Sequence, residues 1–580
     1  MAAPDEEVLV PHFHPPKPLP FELVQHVAIF FEEKLHTQAL SLLLNALSAH
    51  PDASTPVYVP SPQHLSLAAT FLVHPSTTGR PKTTEEEEAP TVSLRLLRLV
   101  NNLVGPTGAQ FNTAFLFTHF ETSRHGGRRH VDDGRPSSMN RSADGERKPL
   151  NLDRDIPIDL AQSASVWSRA EDFWHAVGWA FNCAVLHPTR WERWRVWLEF
   201  MCQVLEEDWE EHLREKREDL SSDPRKDSLI VHYITKSSHG FGRNRRILRS
   251  IFADGSTTAV NEFREVFHKE LKLSKKRTAK GKGSKNREAA AAVDIDAEEY
   301  GDFYLTTDHE DEDGSSGRES KRPRRSKETR SRRTAASAAT LKPKLAVDTP
   351  EPDPTLSSSL LGDMTSLALR QRLLHLLSTV SQTLPNLFMD LQDLYHLLVE
   401  NIRPLPLPIF QAFVSPFALP YFSPAAHSTL CEFLLFRLRE SAAPDTDDEY
   451  LTQSKIEVCF LPYAAATPSI SDNTKMSITL ETLIMLLADS DMLQVTEETK
   501  RLAKTGIIRR AEKAQAETRK NQFTRRSEDL EWSWLGESAE RLMFLVEEVV
   551  PISGKDGIGG SGSGTGDPSV SPSSRSSSGT

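Results

Sequence analysis

Apolar side chains return every third or fourth residue over much of this chain, the period of one face of an α-helix. Between Phe21 and Leu47 that spacing is kept by Leu23, Val27, Phe30 and Phe31, then by Leu35, Ala39, Leu42, Leu43 and Leu47. One long or two short amphipathic helices are predicted there. Ser61-Pro62 starts the next helix, serine as cap and proline in the first turn, where a missing N–H has no partner to lose. Leu65, Ala68, Ala69 and Leu72 form its stripe. Leu94, Leu97, Val100, Asn101 and Val104 mark another helix, stopped by Gly105-Pro106, and Ala109 to Phe120 supplies a Phe-rich one. Helix resumes near Ser163 and runs to Leu186. It breaks at His187-Pro188, because the residue before a proline is pushed out of the helical region.

Pro188 opens the strongest helix. Trp191, Trp194, Leu198, Met201 and Leu205 share one face, widened by Trp197, Phe200 and Val204. From Glu206 onward it turns charged, so its first half is predicted buried and its second half exposed. Seven of the nine tryptophans lie between Trp167 and Trp209. At helical spacing they read as packing, with Trp174, Trp191, Trp194, Leu198 and Met201 as the structural core, rather than as a ligand cage or a base-stacking platform. Each buried tryptophan removes roughly 150–250 Å² from water, on the order of 4–6 kcal/mol before entropy. Helices over Asp227 to Lys236, Asn244 to Phe252 and Ala259 to Leu271 are expected to close this block.

A second set of stripes begins beyond Leu356. Leu367, Leu373, Leu374, Leu377 and Val380 mark one helix; Leu387, Leu391, Leu394, Leu398 and Ile402 mark the next. After a Pro-punctuated connection, helices are expected at Ala426 to Arg439, Met476 to Asp489 and Glu537 to Val549. Lys500 to Arg526 is a basic helix with few apolar residues, predicted to project from the body. Strand-like alternation is rare, and Lys455 to Leu461 is its best case.

The chain therefore reads as all-α: two helical blocks, with irregular hairpin or solenoid-like stacking, separated by a long disordered charged linker. The succession of helices and short turns resembles tetratricopeptide or HEAT stacking, although no fixed repeat period is present. The expected organisation is a disordered N-terminus (1–18), a first block (19–271) with disordered insertions at about 76–90 and 121–158, a linker (272–354), a second block (355–552) and a flexible Gly/Ser tail (553–580). Whether the two blocks touch is left open by the pattern.

The linker is where charge changes the picture. Lys272 to Arg287 is basic, Asp294 to Asp313 acidic, and Arg318 to Arg333 basic again. Such a segment has too little apolar surface to offset an ordering cost of roughly 1–2 kcal/mol per residue. Lys321, Arg322, Arg324, Arg325, Lys327, Arg330, Arg332 and Arg333 fit a nuclear localisation signal read by an import receptor, alone or paired with Lys275-Lys276-Arg277. Lys275, Lys276, Arg277, Lys280 and Lys282, with Arg509, Arg510, Lys513, Arg519 and Lys520 of the basic helix, are candidates for phosphate contact with DNA or RNA. Added phosphate at Ser326 would oppose either role.

Composition narrows the classes. Apolar content of 38%, glycine not counted, lies below the roughly 45–50% of ordinary globular chains, a figure that includes glycine, and 37 prolines dilute it further. The net charge of −12 sums over opposing local blocks and says little about partners. Cys183, Cys202, Cys431 and Cys459 form no CxxC pair, fit a reducing compartment and read as buried small hydrophobes. No apolar run is long enough for a membrane span, and the first residues do not read as a signal peptide. No cofactor, metal or small-molecule ligand is predicted, and Gly240 to Arg243 lacks the spacing of a phosphate loop. Arg169 with His175, and Arg370 with His375, show a spacing that resembles the R-x(4–6)-H motif of HEPN-type helical ribonucleases; the resemblance implies that Arg and His would act on a scissile phosphate at a dimer cleft. The favoured expectation is a non-catalytic nuclear scaffold or adaptor, bound to other subunits of a chromosome-associated complex serving genome maintenance, chromatin or transcription. Direct nucleic-acid binding, ribosome assembly and HEPN-type cleavage are the alternatives.

Overall fold

The computed structural model describes residues 13–49, 55–118, 156, 158–214, 223–236, 242–272, 361–446, 450–516 and 525–549. The order runs β1 (Pro16–Pro18), α1 (Phe21–Glu32), α2 (His36–Ser48), β2 (Val57–Val59), α3 (Pro62–Val73), α4 (Pro75–Thr78), α5 (Thr84–Gly108), α6 (Phe111–Ala114), α7 (Val166–Arg169), α8 (Phe173–Leu186) and α9 (Pro188–Arg214). It continues with α10 (Leu229–Thr235), α11 (Arg243–Ile251), α12 (Thr257–Glu262), α13 (Met364–Thr383), α14 (Leu391–Ile402), α15 (Leu407–Val414) and α16 (Pro424–Leu438). The last helices are α17 (Gln453–Cys459), α18 (Ile470–Asp489), α19 (Glu497–Gln515) and α20 (Arg525–Phe544), which passes into one π turn (Leu545–Val549). The strands form a small parallel pair with Pro16 opposite Val57. The architecture is all-α, as the hydrophobic period predicts.

The tryptophan cluster is the core of the first half. Trp174, Trp179, Trp194 and Trp197 are fully buried, Trp191 nearly so, with Leu198 and Met201 beside them. Most of these indoles also have a polar partner: Trp174 Nε1 donates to the Tyr233 carbonyl at 3.0 Å and Trp167 Nε1 to Ser66 at 2.9 Å. Trp179 and Trp194 donate at 3.0 and 2.6 Å to one oxygen of Glu270, a carboxylate with no solvent exposure. Arg190 Nε reaches the same oxygen at 2.5 Å, and its other nitrogens donate to Thr78 Oγ1 and the Val73 carbonyl. Glu270 Oε2 accepts the Phe267 N–H at 3.1 Å. A buried charge is tolerable only with this degree of pairing.

The described helices before and after the linker belong to one compact unit. Arg370 of α13 joins them. Fully buried, its guanidinium donates to the carbonyls of Ile251, Ala253 and Leu361 and lies over the Phe181 ring at 4.0 Å. Trp191 Nε1 donates to Asp363 at 3.2 Å, while Asp363 caps α13 through the Ser366 N–H at 2.8 Å. Arg372 grips Glu206 of α9 with two nitrogens, at 2.9 and 2.5 Å. Glu206 therefore meets protein, where the sequence predicted solvent.

Several expectations are corrected. The stretch 76–90, predicted as a disordered insertion, is ordered as α4 and the start of α5. Thr83 caps α5 through the Glu86 N–H at 3.2 Å, and three glutamates in the first turn face the positive end of the helix. Part of the expected disordered N-terminus, Pro16–Pro18, is β1. The predicted helix from Ser163 is split, because α7 ends at Arg169, with Ala170 extended, and Asp172 caps α8 separately. The Ala259–Leu271 helix stops at Glu262, since the chain must turn to carry Glu270 into the core. The candidate strand at Lys455–Leu461 is α17. The basic helix does not project: α19 packs against α18 and α20. Its buried stripe is Thr499, Ala503, Gly506, Arg510 and Ala514; apart from Arg510 these are small residues that let backbones approach closely. A Cβ on Gly506 would sit 1.9 Å from the Leu461 carbonyl oxygen. The linker, most of insertion 121–158 and the tail lie outside the described residues.

Candidate partner-binding groove

Helix α14 is amphipathic in the plainest sense. Leu394, Tyr395, Leu398, Val399 and Ile402 are buried, leaving Gln392, Asp393, His396 and Glu400 on the other face. Three open clefts of about 400, 480 and 710 Å³ run along that face, and His396 lines all three. The smallest is edged by Arg403, Arg437, Asp472 and Lys475. The second carries Arg243 and Arg245 beside Asp393 and Glu400. The largest has an apolar side, with Phe433 and Phe436 set against Leu487, Met492, Tyr450 and Leu451, and a polar one that includes Glu432, Arg437 and Lys455. Tyr450 is 76% exposed and Met492 56%, more than packing into the fold requires of either.

The charges along this face differ in how far they are committed. Arg403 Nη2 pairs with Asp472 at 3.1 Å, and Lys475 Nζ donates to the Arg403 carbonyl at 2.6 Å. Burial lowers the Lys475 ammonium from its ordinary range, with Asp472 opposing that shift. Lys455 and Glu432 form an ion pair at 2.5 Å, nearly buried beneath Phe436. Arg245 meets Glu400 loosely at 3.5 Å, both exposed. Arg437 is exposed on α16 and has no hydrogen-bond or ion-pair partner among the described residues. His396 stacks edge-on against Phe433 at 5.0 Å, and its Nδ1 is buried without a partner. Such an arrangement can hold an apolar side chain and, next to it, an anionic group.

The residues singled out from sequence fall elsewhere. Lys321 to Arg333, Lys275 to Lys282, Arg519 and Lys520 lie outside the described residues. Arg510, expected to reach nucleic-acid phosphates, is fully buried and donates to the carbonyls of Leu461 and Tyr463 at 3.3 and 3.0 Å. Burial pushes its guanidinium down to about 9. Arg509 donates to the Pro462 carbonyl at 3.3 Å, and Lys513 pairs with Glu440 at 2.9 Å. All three cations tie α19 to the body, but only Arg510 is withdrawn from solvent; Arg509 stays exposed and Lys513 partly so.

In each of the two Arg–His pairs one member, His175 or Arg370, is tied into the fold. His175 is buried; Nδ1 accepts the Glu171 N–H and Nε2 donates to the Arg264 carbonyl, both at 3.1 Å. Burial lowers its pKa, so the ring is held as one neutral tautomer. Its helical neighbour Arg169 is exposed. Arg370 is the interior clamp already described, while His375 sits half-buried against Phe422. All four cysteines are buried, and burial raises their thiols, Cys202 to about 12. Among the described residues no cluster of three or more His, Cys, Asp or Glu could hold a metal ion, and no helix is long and apolar enough to cross a membrane. The groove itself gave no sequence signal, because its walls come from residues as distant as Arg243 and Met492. A scan against protein-family models finds no match for this chain, and a search of the curated proteins finds none either.

Proposed function

We propose that this protein is a non-catalytic scaffold or adaptor subunit of a nuclear multiprotein complex, chromosome-associated, which holds partner proteins on a rigid helical body. The observation that supports the reading is the confluence of three clefts along α14, where exposed aromatic and cationic side chains lie together. A body whose two halves are joined by the buried Arg370 guanidinium and the Arg372–Glu206 ion pair presents such a face in fixed geometry, which lowers the ordering cost of docking. The basic run Lys321 to Arg333 supports nuclear import by the chemistry of its sequence. The test is affinity purification of the full chain from nuclear extract, with and without nuclease. Stoichiometric protein partners that survive nuclease are expected. Recovery only of nucleic-acid-dependent material would overturn the scaffold reading in favour of a phosphate-contacting adaptor. A fluorescent fusion should be nuclear, and should leave the nucleus when Arg324, Arg325, Arg332 and Arg333 are changed to alanine.

A further inference from the structure

We propose that the α14 groove takes an acidic amphipathic peptide segment of a partner protein. Its bulky apolar side chain enters the cleft between Phe433, Phe436, Tyr450 and Met492, and a neighbouring carboxylate lies over Arg437. The inference rests on the scaffold reading and gives that scaffold one ligand chemistry.

Three observations carry it. The first is exposure: Tyr450, Met492 and Phe436 surround a cleft of about 710 Å³ and remain substantially open to water. Apolar surface gathered in one concave place marks a binding site more often than scattered exposure does. The second is charge. Arg437 lines both the apolar cleft and the polar one beside it, and its guanidinium has no partner among the described residues. Nearby cations carry internal partners: Arg403 has Asp472, and Lys455 has Glu432. One unneutralised planar donor at the boundary of the two clefts therefore selects an anion placed just after an apolar anchor, with bidentate geometry favouring a carboxylate. The third is continuity. Because His396 lines all three clefts, a bound chain can pass from the aromatic end to Arg245 without leaving the groove.

Nucleic acid fits this face less well. A polyphosphate backbone needs a row of unpaired cations, whereas Glu400, Asp393, Asp472 and Glu432 stand between those present.

The experiment uses the full chain, immobilised, and a displayed random library of 16-residue peptides. Enriched sequences should carry an aromatic or large aliphatic residue within a few positions of two or more Asp or Glu. Their synthetic peptides, followed by fluorescence anisotropy, should bind Arg437→Glu and the double variant Tyr450→Ala/Met492→Ala at least ten-fold more weakly than wild type. Binding should also weaken as salt rises. The three altered side chains are exposed, and circular dichroism of each variant checks that the fold is unchanged. Failure to enrich any sequence, enrichment of basic or neutral sequences, or equal binding to all variants would overturn the proposal. So would displacement of the selected peptides by a single-stranded 20-mer at equal concentration, which would assign the groove to nucleic acid. The scaffold reading fails separately. If wild type retains nuclease-resistant partners and Arg437→Glu retains them equally, the scaffold stands and this groove is not where they dock.

Discussion

The sharpest energetic prediction concerns Glu270. Its carboxylate accepts two indole N–H groups, the Arg190 guanidinium and the Phe267 N–H, with no solvent exposure. Replacing it by glutamine keeps the shape and removes the charge. Arg190 is then a cation with 8% side-chain exposure and no counter-charge. Breaking a buried pair from one side costs about 3–5 kcal/mol, because the remaining charge is left uncompensated. Arg190→Met should cost about as much, leaving the carboxylate alone and the Thr78 hydroxyl and Val73 carbonyl without their donor. The double variant Glu270→Gln/Arg190→Met removes both charges; the amide oxygen still accepts from the indoles, while the amide nitrogen cannot accept the Phe267 N–H. It should be destabilised by far less than the sum, about 2–3 kcal/mol in all. Urea unfolding followed by tryptophan fluorescence reads these differences directly, since the reporter indoles touch the site. Additive single-variant losses, or a Glu270→Gln loss under about 1 kcal/mol, would refute the claim that this charge pair organises the core.

Further predictions follow from the same structure. Arg370→Met should lose about 3 kcal/mol or more by leaving three buried carbonyls without their donor, and hydrogen exchange should accelerate first in α13 and α11. Gly506→Ala should lower the melting temperature, because its Cβ would meet the Leu461 carbonyl at 1.9 Å; Gly536→Ala, with nothing within 4 Å, should raise it slightly. Burial lowers the His64 pKa from 6.5 to about 4, so the unfolded chain binds the proton more readily. Its contribution is fully present above about pH 6.5 and is lost as pH falls toward 4, by about 3 kcal/mol. Urea midpoints at pH 7 and pH 5 should therefore differ less in His64→Gln than in wild type.

Most helices were legible because the physics that places them is local. The stripes at Leu65 to Leu72 and Trp191 to Leu205 are the buried faces of α3 and α9, and His187-Pro188 is the break between α8 and α9. Thr83, followed by Glu86 at the spacing of a capping pair, is a signal for the start of α5, outweighed by the polar composition of the stretch 76–90 around it. The packing of the basic helix is hidden for the opposite reason: a stripe of Ala, Gly and Thr buries little area per residue, so hydrophobicity undercounts it, while close backbone approach is invisible in a sequence. Contacts between the halves could not be inferred at all. Arg370 reaches Ile251 across 119 positions, and Trp191 reaches Asp363 across 172. No periodicity encodes such pairings. The groove inherits the same limit, being built from several elements that only the fold brings together.

The buried charges share a feature that apolar packing lacks. Glu270 with Arg190, Arg246 with Asp172, Lys455 with Glu432 and the Arg370 guanidinium each tie segments distant in sequence at one geometry. Leu- and Trp-rich stripes on many helices could interdigitate in neighbouring registers at similar energy, whereas a buried carboxylate meets its donors in one register only. On this argument the ion pairs select the arrangement more than they stabilise it, which is their best-attested use in helical proteins. The consequence is testable without reference to function. The charge-free variant Glu270→Gln/Arg190→Met should keep most of its unfolding free energy yet show a weaker near-ultraviolet tryptophan signal and a shallower urea transition, the marks of a core with more than one packing. A full near-ultraviolet signal with an unchanged transition slope would mean that the shapes of the indoles alone fix the register, and that the buried charges are dispensable to it.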